Sequence, residues 1–350
     1  MDQLATRIKT SPEAYPHSLD VASDTVAFMT LSEADYARAS FLDARILTAA
    51  SAPDAIAWPR LAAAVDEAAL PERLGLIFHI GHVGSTLLSR LLGAHRNVLA
   101  LREPDPYRTL ARIDAELGSP DSAWDRAAFD QRLGVFLKLW SRGFRPDQLA
   151  VVKATSICCD LAAEVLARPS RPPAIFMFTR PEVYLATLFG GENNHLDIRG
   201  AAPLRERRLN RRLGGVAVRL DEMSYAQVTA MSWACEMAAL ADAARTAGGR
   251  VLWLDFERLL VRPQARLAEA FAHLGVAADP ADIAEIVAGP ELGRYSKAPE
   301  HAYDAGLRAQ VLAQARGLHG DWIAEGMAWL ERAGAEHPAV EVALEAAGSN

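Results

Sequence analysis

The sequence predicts an α/β protein with a doubly wound parallel sheet of about five strands and helical additions at both ends. Two observations predict this fold. Short apolar stretches, typical of strands buried on both faces, alternate with stretches whose apolar residues recur at helical spacing. Strands that alternate with helices pair in parallel through right-handed crossovers. At 350 residues, the chain is long enough for one large core with additions.

The five predicted strands lie between residues 74 and 255. They cover residues 74–80, 98–101, 149–153, 174–179 and 251–255. Helical patterns separate them, at residues 129–140, 161–166, 228–244 and 267–274. We therefore expect the α/β core to occupy residues 71–300.

The flanking regions carry weaker signals. In residues 1–70 the apolar residues Leu31, Tyr36, Phe41 and Leu42 have helix-like spacing, which predicts a helical N-terminal appendage. Residues 301–350 are expected to form C-terminal helices. Residues 190–221 are polar and Arg-rich, which predicts a hydrated surface excursion or lid. Its arginines are Arg199, Arg205, Arg207, Arg208, Arg211 and Arg212.

Composition excludes several classes of partner. The net charge of -7 argues against a broad electrostatic grip on nucleic acid or on an anionic membrane. A small-molecule or peptide partner is expected instead, and nothing in the sequence indicates an oligomeric state. Cys158, Cys159 and Cys235 form neither a disulfide framework nor a metal-binding pattern, and they are expected in the core. Without a signal peptide or an apolar run of about 20 residues, a cytoplasmic location is expected.

A glycine loop follows the first core strand. Its residues are Gly81, His82, Val83, Gly84, Ser85, Thr86 and Leu87. The leucines that come next recur at helical spacing, so the unit is strand, loop and helix. Glycines let backbone N–H groups converge, and the helix N-terminus and two hydroxyls favour an anion. The lysine of the Walker A pattern is missing, and a turn capped by serine would explain the glycines as well.

The loop resembles the 5′-phosphosulfate loop of sulfotransferases of the P-loop superfamily, in particular the protein-tyrosine type and bacterial relatives. In that family a basic residue, a small residue, Gly and two hydroxyl residues open a leucine-rich helix. The family also has a glutamate after the second strand and a lysine at the end of the third. Glu103 and Lys153 occupy those places. An ordinary helix N-terminal acid before Pro104 would also explain Glu103.

Later segments extend the resemblance. The family's 3′-phosphate motif is an Arg after the fourth strand, then an Asp or Asn, a Pro, and a Ser two turns into the helix. Arg180, Pro181 and Thr187 match it if one residue is deleted, although a salt bridge would also explain Arg180. Ser296 and Lys297 lie where the family folds a basic loop over the nucleotide, or in a solvated turn. The segment after the fifth strand matches at Phe256, Glu257, Leu259, Pro263, Leu267, Phe271, Leu274 and Gly275.

The resemblance implies sulfuryl transfer from 3′-phosphoadenosine 5′-phosphosulfate (PAPS) to a hydroxyl or amine, with no metal expected. The loop residues 81–87 would hold the 5′-phosphate, Arg180 and Thr187 the 3′-phosphate, and Phe256, Ser296 and Lys297 would complete the nucleotide site. Glu103 would be the general base, with its pKa raised by partial burial. Lys153 would neutralise the sulfuryl oxygens.

His82 departs from the family pattern. It stands in the catalytic loop where the family has Lys or Arg, and an imidazole with a pKa of about 6.5 is largely neutral at pH 7. Lys153 or Arg90 could supply the charge instead.

Two other functions fit parts of the sequence. The strand at residues 251–255 is similar to a Walker B strand, in which Asp255 would bind magnesium in an ATP-dependent small-molecule kinase. The His82 substitution would also suit a non-catalytic nucleotide-binding module that retains the fold.

Overall fold

The computed structural model describes residues 3–49, 51–191, 193–296, 300 and 302–350. Lys297, one of the predicted nucleotide contacts, lies outside these residues. The described residues form eight strands in two sheets. The strands are β1 (Ala14–Asp20), β2 (Thr25–Thr30), β3 (Asp54–Ala57), β4 (Leu74–His79), β5 (Val98–Arg102), β6 (Leu149–Lys153), β7 (Ala174–Phe178) and β8 (Val251–Asp255).

The five core strands form a parallel sheet in the order β5-β6-β4-β7-β8. Every residue of β4, β5, β6 and β7 is buried, which explains why these strands are mainly apolar instead of alternating. Their polar residues, His79, Arg102 and Lys153, are the last residues of β4, β5 and β6. The chain leaves β4 toward one edge and returns to its other side at β7. The predicted doubly wound fold is confirmed, and this change of direction creates a crevice at the carboxyl ends of the central strands.

Fifteen helices are described around the two sheets. They are α1 (Gln3–Thr10), α2 (Glu33–Arg38), α3 (Trp58–Glu67), α4 (Ser85–Gly93), α5 (Asp105–Glu116), α6 (Arg126–Trp140), α7 (Leu161–Leu166), α8 (Pro181–Phe189), α9 (Asn194–Leu213), α10 (Tyr225–Ala247), α11 (Phe256–Val261), α12 (Pro263–Leu274), α13 (Pro280–Ala288), α14 (Ala305–Glu336) and α15 (Pro338–Ser349). Helix α10 is the central one, since it packs against α7, α8, α9, α14 and α15. A capping box between Ser224 and Gln227 starts it, and Gly248 in the left-handed conformation ends it.

The N-terminal region is not purely helical, so that prediction is wrong. It contains a three-stranded antiparallel sheet, β1-β2-β3, beside helices α1 to α3. Only Tyr36 among the four residues that suggested a helix lies in one, the short α2. A buried arginine on the core side, Arg142, donates hydrogen bonds to the carbonyls of Ile8, Ser11 and Ala14 and so ties this region to the core.

The Arg-rich segment is also not the hydrated excursion that its composition predicts. Most of it forms α9, and two of its arginines are buried, with Arg205 1% and Arg208 2% exposed. Both pair with Glu236 of α10, and Arg208 pairs with Asp160 as well. Burial alone would raise the pKa of Asp160, but the charges of Arg208 and Arg212 outweigh it and lower that pKa to about 2. These ion pairs fix α9 against the core.

The C-terminal region is helical. Helix α14 packs against α8 and α10, and it is kinked at His319, whose backbone angles are not helical. Helix α15 folds back onto α10 and α14. Among the described residues, none of the helices combines the length and apolar character needed to cross a lipid bilayer.

Candidate active site

A cavity of about 830 Å³ opens at the carboxyl ends of β4, β5 and β6. This volume is in the range of small-molecule sites, roughly 300 to 1,000 Å³. Three parts of the chain line it: the N-terminal region at residues 41–45, the core loops, and the C-terminal helix α14. Among the predicted site residues, those on its wall are Gly81, His82, Val83, Gly84, Ser85, Thr86, Leu87, Glu103, Lys153, Thr187, Phe256 and Ser296.

The glycine loop has a backbone that only a few residue types accept. Gly81, His82 and Gly84 have φ angles of +88°, +55° and +65°. A Cβ atom on Gly84 would lie 2.0 Å from the nearest ring carbon of Phe256, so this position needs glycine for space as well as for conformation. The Gly81 N–H donates to Nδ1 of the buried His79, at 3.0 Å. The loop is therefore preformed.

The loop ends at the N-terminus of α4, where unpaired backbone N–H groups favour an anion. Thr86, in the first turn, is 2% exposed and lines the cavity. Its Oγ1 atom has no hydrogen-bond partner among the described residues. A buried hydroxyl without a partner is costly unless a ligand or water satisfies it. The Thr86 hydroxyl and the helix N-terminus are therefore two independent features that suit a phosphate at this end of the cavity.

His82 is held by the segment that follows α8. Its Nε2 atom lies 3.0 Å from Oδ2 of Asp197 in the first turn of α9. The Asp197 carboxylate would compete with an anionic ligand for this imidazole. Arg90, the other cation considered for the loop, donates to the carbonyl of Ser296 and to Oγ of Ser40, so it is already engaged.

Glu103 and Lys153 form a buried ion pair at the ends of β5 and β6. Lys153 Nζ donates to Glu103 Oε1, and the two side chains are 0% and 8% exposed. Glu103 has a φ of +55°, and its N–H donates to the carbonyl of Lys153 at 2.8 Å. A left-handed non-glycine residue is strained, and such strain clusters at functional sites. The predicted base and the predicted lysine are therefore adjacent in the cavity.

A second group of charges, which the sequence analysis did not find, faces this pair. Asp43 accepts hydrogen bonds from Arg45 Nε at 2.8 Å and from Arg45 Nη2 at 2.5 Å. Arg108 Nη2 lies 3.7 Å from Asp43 and 3.6 Å from Glu103 Oε2. Burial alone would raise the pKa of Asp43, but the hydrogen bonds from Arg45 and the charges of Arg45 and Arg108 hold it below its usual range.

Arg102 positions this wall. It is 2% exposed, and its guanidinium donates to the carbonyls of Tyr36, Ala37 and Ala39. The carbonyl of Arg102 itself accepts from the N–H of Leu42 at 2.7 Å. The segment at residues 41–45 is thus fixed beside Glu103. A buried arginine that binds remote carbonyls has no local sequence signal, which explains why the segment was missed.

The opposite end of the cavity is built around Phe256. Its ring packs on Gly84, and the guanidinium of Arg308 in α14 stacks 4.6 Å from the ring centroid. Arg308 is 4% exposed and lies on the cavity wall. It pairs with Glu257 at 2.6 Å, and its Nη2 lies 3.4 Å from Thr187 Oγ1. A buried cation and a hydroxyl therefore meet beside Phe256.

The structure does not bring Arg180, the predicted 3′-phosphate contact, together with these residues. Because it precedes Pro181, its backbone is extended (φ −59°, ψ 149°), and it forms the N-cap of α8 with an exposed side chain. It is not among the residues that line the cavity. Asp255, the magnesium ligand of the kinase hypothesis, caps α11 by accepting from the N–H of Arg258 at 3.0 Å and is likewise off the cavity wall.

No known protein-family profile matches the chain, and neither does any curated protein. Solved structures do match it. The sulfotransferase domain from the curacin biosynthetic pathway is 16% identical, with a TM-score of 0.39 over 66% of this chain and 84% of that one. The sulfotransferase domain from the Synechococcus PCC 7002 olefin synthase is 14% identical, with a TM-score of 0.37 over 69% and 93%. Mouse sulfotransferase SULT7A1, complexed with PAP, is 12% identical, with a TM-score of 0.33 over 62% and 64%.

Proposed function

We propose that this protein is a sulfotransferase that transfers a sulfuryl group from PAPS to a hydroxyl or amine of a small acceptor. One observation carries the proposal. A single cavity is lined by the glycine loop, the buried Lys153–Glu103 pair and the Arg308 guanidinium beside Phe256. A nucleotide with two separate phosphate groups needs two anion-binding positions. Sulfuryl transfer also needs a base and a cation close to one of them.

The nucleotide would lie along Phe256. The loop N–H groups and the Thr86 hydroxyl would hold the 5′-phosphate, because that hydroxyl is buried and lacks a partner among the described residues. Arg308 and Thr187 would hold the 3′-phosphate in place of Arg180. A guanidinium suits this position because it can stack on an aromatic ring and bind a phosphate through two N–H groups.

The acceptor would react beside Glu103 and Lys153. Lys153 donates a hydrogen bond to Oε1 of Glu103. Among the described residues, Oε2 has contacts of 3.6 Å to Arg108 and 3.7 Å to Arg45, which are longer than hydrogen bonds. Oε2 is thus placed to take the proton from the acceptor hydroxyl or amine. PAPS supplies the sulfuryl group: its bond to the 5′-phosphate breaks, leaving the electron pair on that phosphate, as the bond to the acceptor forms. The buried positive charge of Lys153 would stabilise the negative charge on the oxygens of the transferred sulfuryl group.

Calorimetry with 3′,5′-phosphoadenosine (PAP) tests the nucleotide site directly. We expect binding in magnesium-free buffer, and a raised melting temperature at saturating PAP, since a ligand at 100 times its dissociation constant stabilises by about 2.7 kcal/mol. Failure of PAP to bind, or a response only to ATP with magnesium, would overturn the proposal. Turnover of labelled PAPS against a panel of acceptors then separates an enzyme from a protein that only binds the nucleotide.

A further inference from the structure

Arg108 is a cation on the cavity wall whose hydrogen-bond donors are unused. It lies one turn into α5, and 31% of its side chain is exposed. No hydrogen bond joins its guanidinium to a described residue, and its Nε atom is buried without a partner. Its contacts with Asp43 and Glu103, at 3.7 and 3.6 Å, are longer than hydrogen bonds. A partly buried guanidinium in this state requires an explanation.

The nearest carboxylates do not provide one, because neither Asp43 nor Glu103 comes within hydrogen-bond distance of Arg108. Asp43 accepts from Nε and Nη2 of Arg45, and Glu103 Oε1 accepts from Lys153. The remaining acid on this wall, Asp105, lies in the first turn of α5, where a negative charge is stabilised by the helix N-terminus. Arg108 is therefore the residue of this cluster with the most capacity to bind a further group.

Arg108 lies next to the residue proposed as the general base. Arg108 Nη2 is 3.6 Å from Glu103 Oε2, the oxygen proposed to take the acceptor proton. Both residues belong to the same rigid corner, where the strand β5 passes through Glu103 and Pro104 into α5. An anionic group bound by Arg108 would place a hydroxyl or amine a few bonds away next to Glu103.

We propose that Arg108 recognises a carboxylate on the acceptor, so that the substrate class is small hydroxy or amino acids. A carboxylate matches the planar fork of a guanidinium and would satisfy donors that the protein leaves unpaired. This inference rests on the proposed function, because it takes the bound acid to be the acceptor of the sulfuryl group. The carboxylate site itself can be tested without turnover.

The test is an NMR titration with a matched pair of probes, lactate and propane-1,2-diol, which differ in the carboxylate. The protein is saturated with PAP, and the Nε–H resonance of Arg108 is assigned through its loss in Arg108→Lys. We expect a saturable shift of this resonance with lactate, at an affinity at least about tenfold above that for the diol, the scale of a charged hydrogen bond. Saturation transfer to lactate should fall in Arg108→Lys. It should persist in the control Arg112→Lys, since Arg112 is exposed one turn later on α5.

An absent lactate shift, or equal responses to lactate and the diol, would overturn the carboxylate site. If PAP fails to bind in calorimetry, the same titration is run on the nucleotide-free protein. In the nucleotide-free protein, the Arg108 resonance still reports carboxylate binding at Arg108 and does not depend on nucleotide binding at the glycine loop. Failure of the nucleotide proposal and failure of the carboxylate proposal are therefore distinguished.

Discussion

The two ends of the cavity are suited to bind negatively charged groups through different structural features. The loop wall uses backbone geometry: left-handed glycines, a helix N-terminus and a buried hydroxyl. The wall around Glu103 uses side-chain charges that largely neutralise one another, with Lys153, Arg45 and Arg108 against Glu103 and Asp43. An added atom should disturb the loop wall through a steric clash, and a removed charge should disturb the other wall through an unbalanced ion pair. Substitutions at the two walls should therefore fail for different reasons.

The largest effect is expected from Lys153→Met. Lys153 is fully buried, and its removal leaves the Glu103 carboxylate without its closest partner, which costs about 3 to 5 kcal/mol for buried pairs. Chemical denaturation measures the free energy of unfolding. The double variant with Glu103→Gln should lose clearly less than the sum of the two single variants, and additive losses would show that the pair is not coupled. Glu103→Gln alone should bind PAP normally and lose turnover.

Gly84→Ala should break the loop wall. The added Cβ would meet the Phe256 ring at 2.0 Å, and φ is +65°, so we expect a loss of about 2 to 4 kcal/mol of stability together with weaker PAP binding. Gly118→Ala is the matched control. Gly118 has φ +83° but nothing within 4 Å of its added Cβ, so it reports the backbone cost alone. Equal losses in the two variants would mean that the contact with Phe256 is unimportant.

Arg308→Ala tests the second phosphate site. We expect PAP binding to weaken by about 1.5 to 3 kcal/mol, the scale of a charged hydrogen bond, because Arg308 would contact the 3′-phosphate. Binding of 5′-AMP, which lacks that phosphate, should change little. Arg180→Ala should leave both nucleotides unaffected, because Arg180 is exposed away from the cavity. Calorimetry measures the binding of PAP and of 5′-AMP to each of the two variants. Weaker PAP binding in Arg180→Ala, with unchanged binding in Arg308→Ala, would instead place Arg180 at the 3′-phosphate.

The smallest effect concerns acid sensitivity. The pKa of Asp43 is lowered in the folded protein, so this group adds stability above about pH 4 that is lost as the pH falls through the folded value. We expect Asp43→Asn to lower stability at pH 7 by about 1 kcal/mol and to flatten the decline below pH 4. Unfolding curves from pH 7 to pH 2 measure this. If the loss of stability at acidic pH is the same in Asp43→Asn as in the unmodified protein, Asp43 does not contribute to the acid sensitivity through its charge.

The parts of the site that lie close together in sequence could be predicted from it. The glycine loop between β4 and α4 was recognised from spacing alone, and the predicted strands at residues 149–153 and 251–255 match β6 and β8. Glu103 and Lys153 were predicted because they occupy the places of the glutamate and lysine in the family that the sequence resembles, and the structure places the two side chains in contact.

Other features depend on contacts between distant residues, which a single sequence does not reveal. Arg308 lies 121 residues beyond Thr187, in a long helix where an arginine is normally exposed. The strand β1 contains Pro16 and polar residues, so its pattern does not indicate a strand. Arg180 matches the family motif locally, but the residue between Arg and Pro is missing, and in the structure Arg180 is the N-cap residue of α8.

A crystal structure of the protein with bound PAP would test the central claim most directly. It should show the 5′-phosphate within hydrogen-bond distance of the loop N–H groups and Thr86 Oγ1, and the 3′-phosphate against Arg308 and Thr187 beside Phe256. A nucleotide bound elsewhere, or one whose two phosphates leave Thr86 and Arg308 untouched, would contradict it.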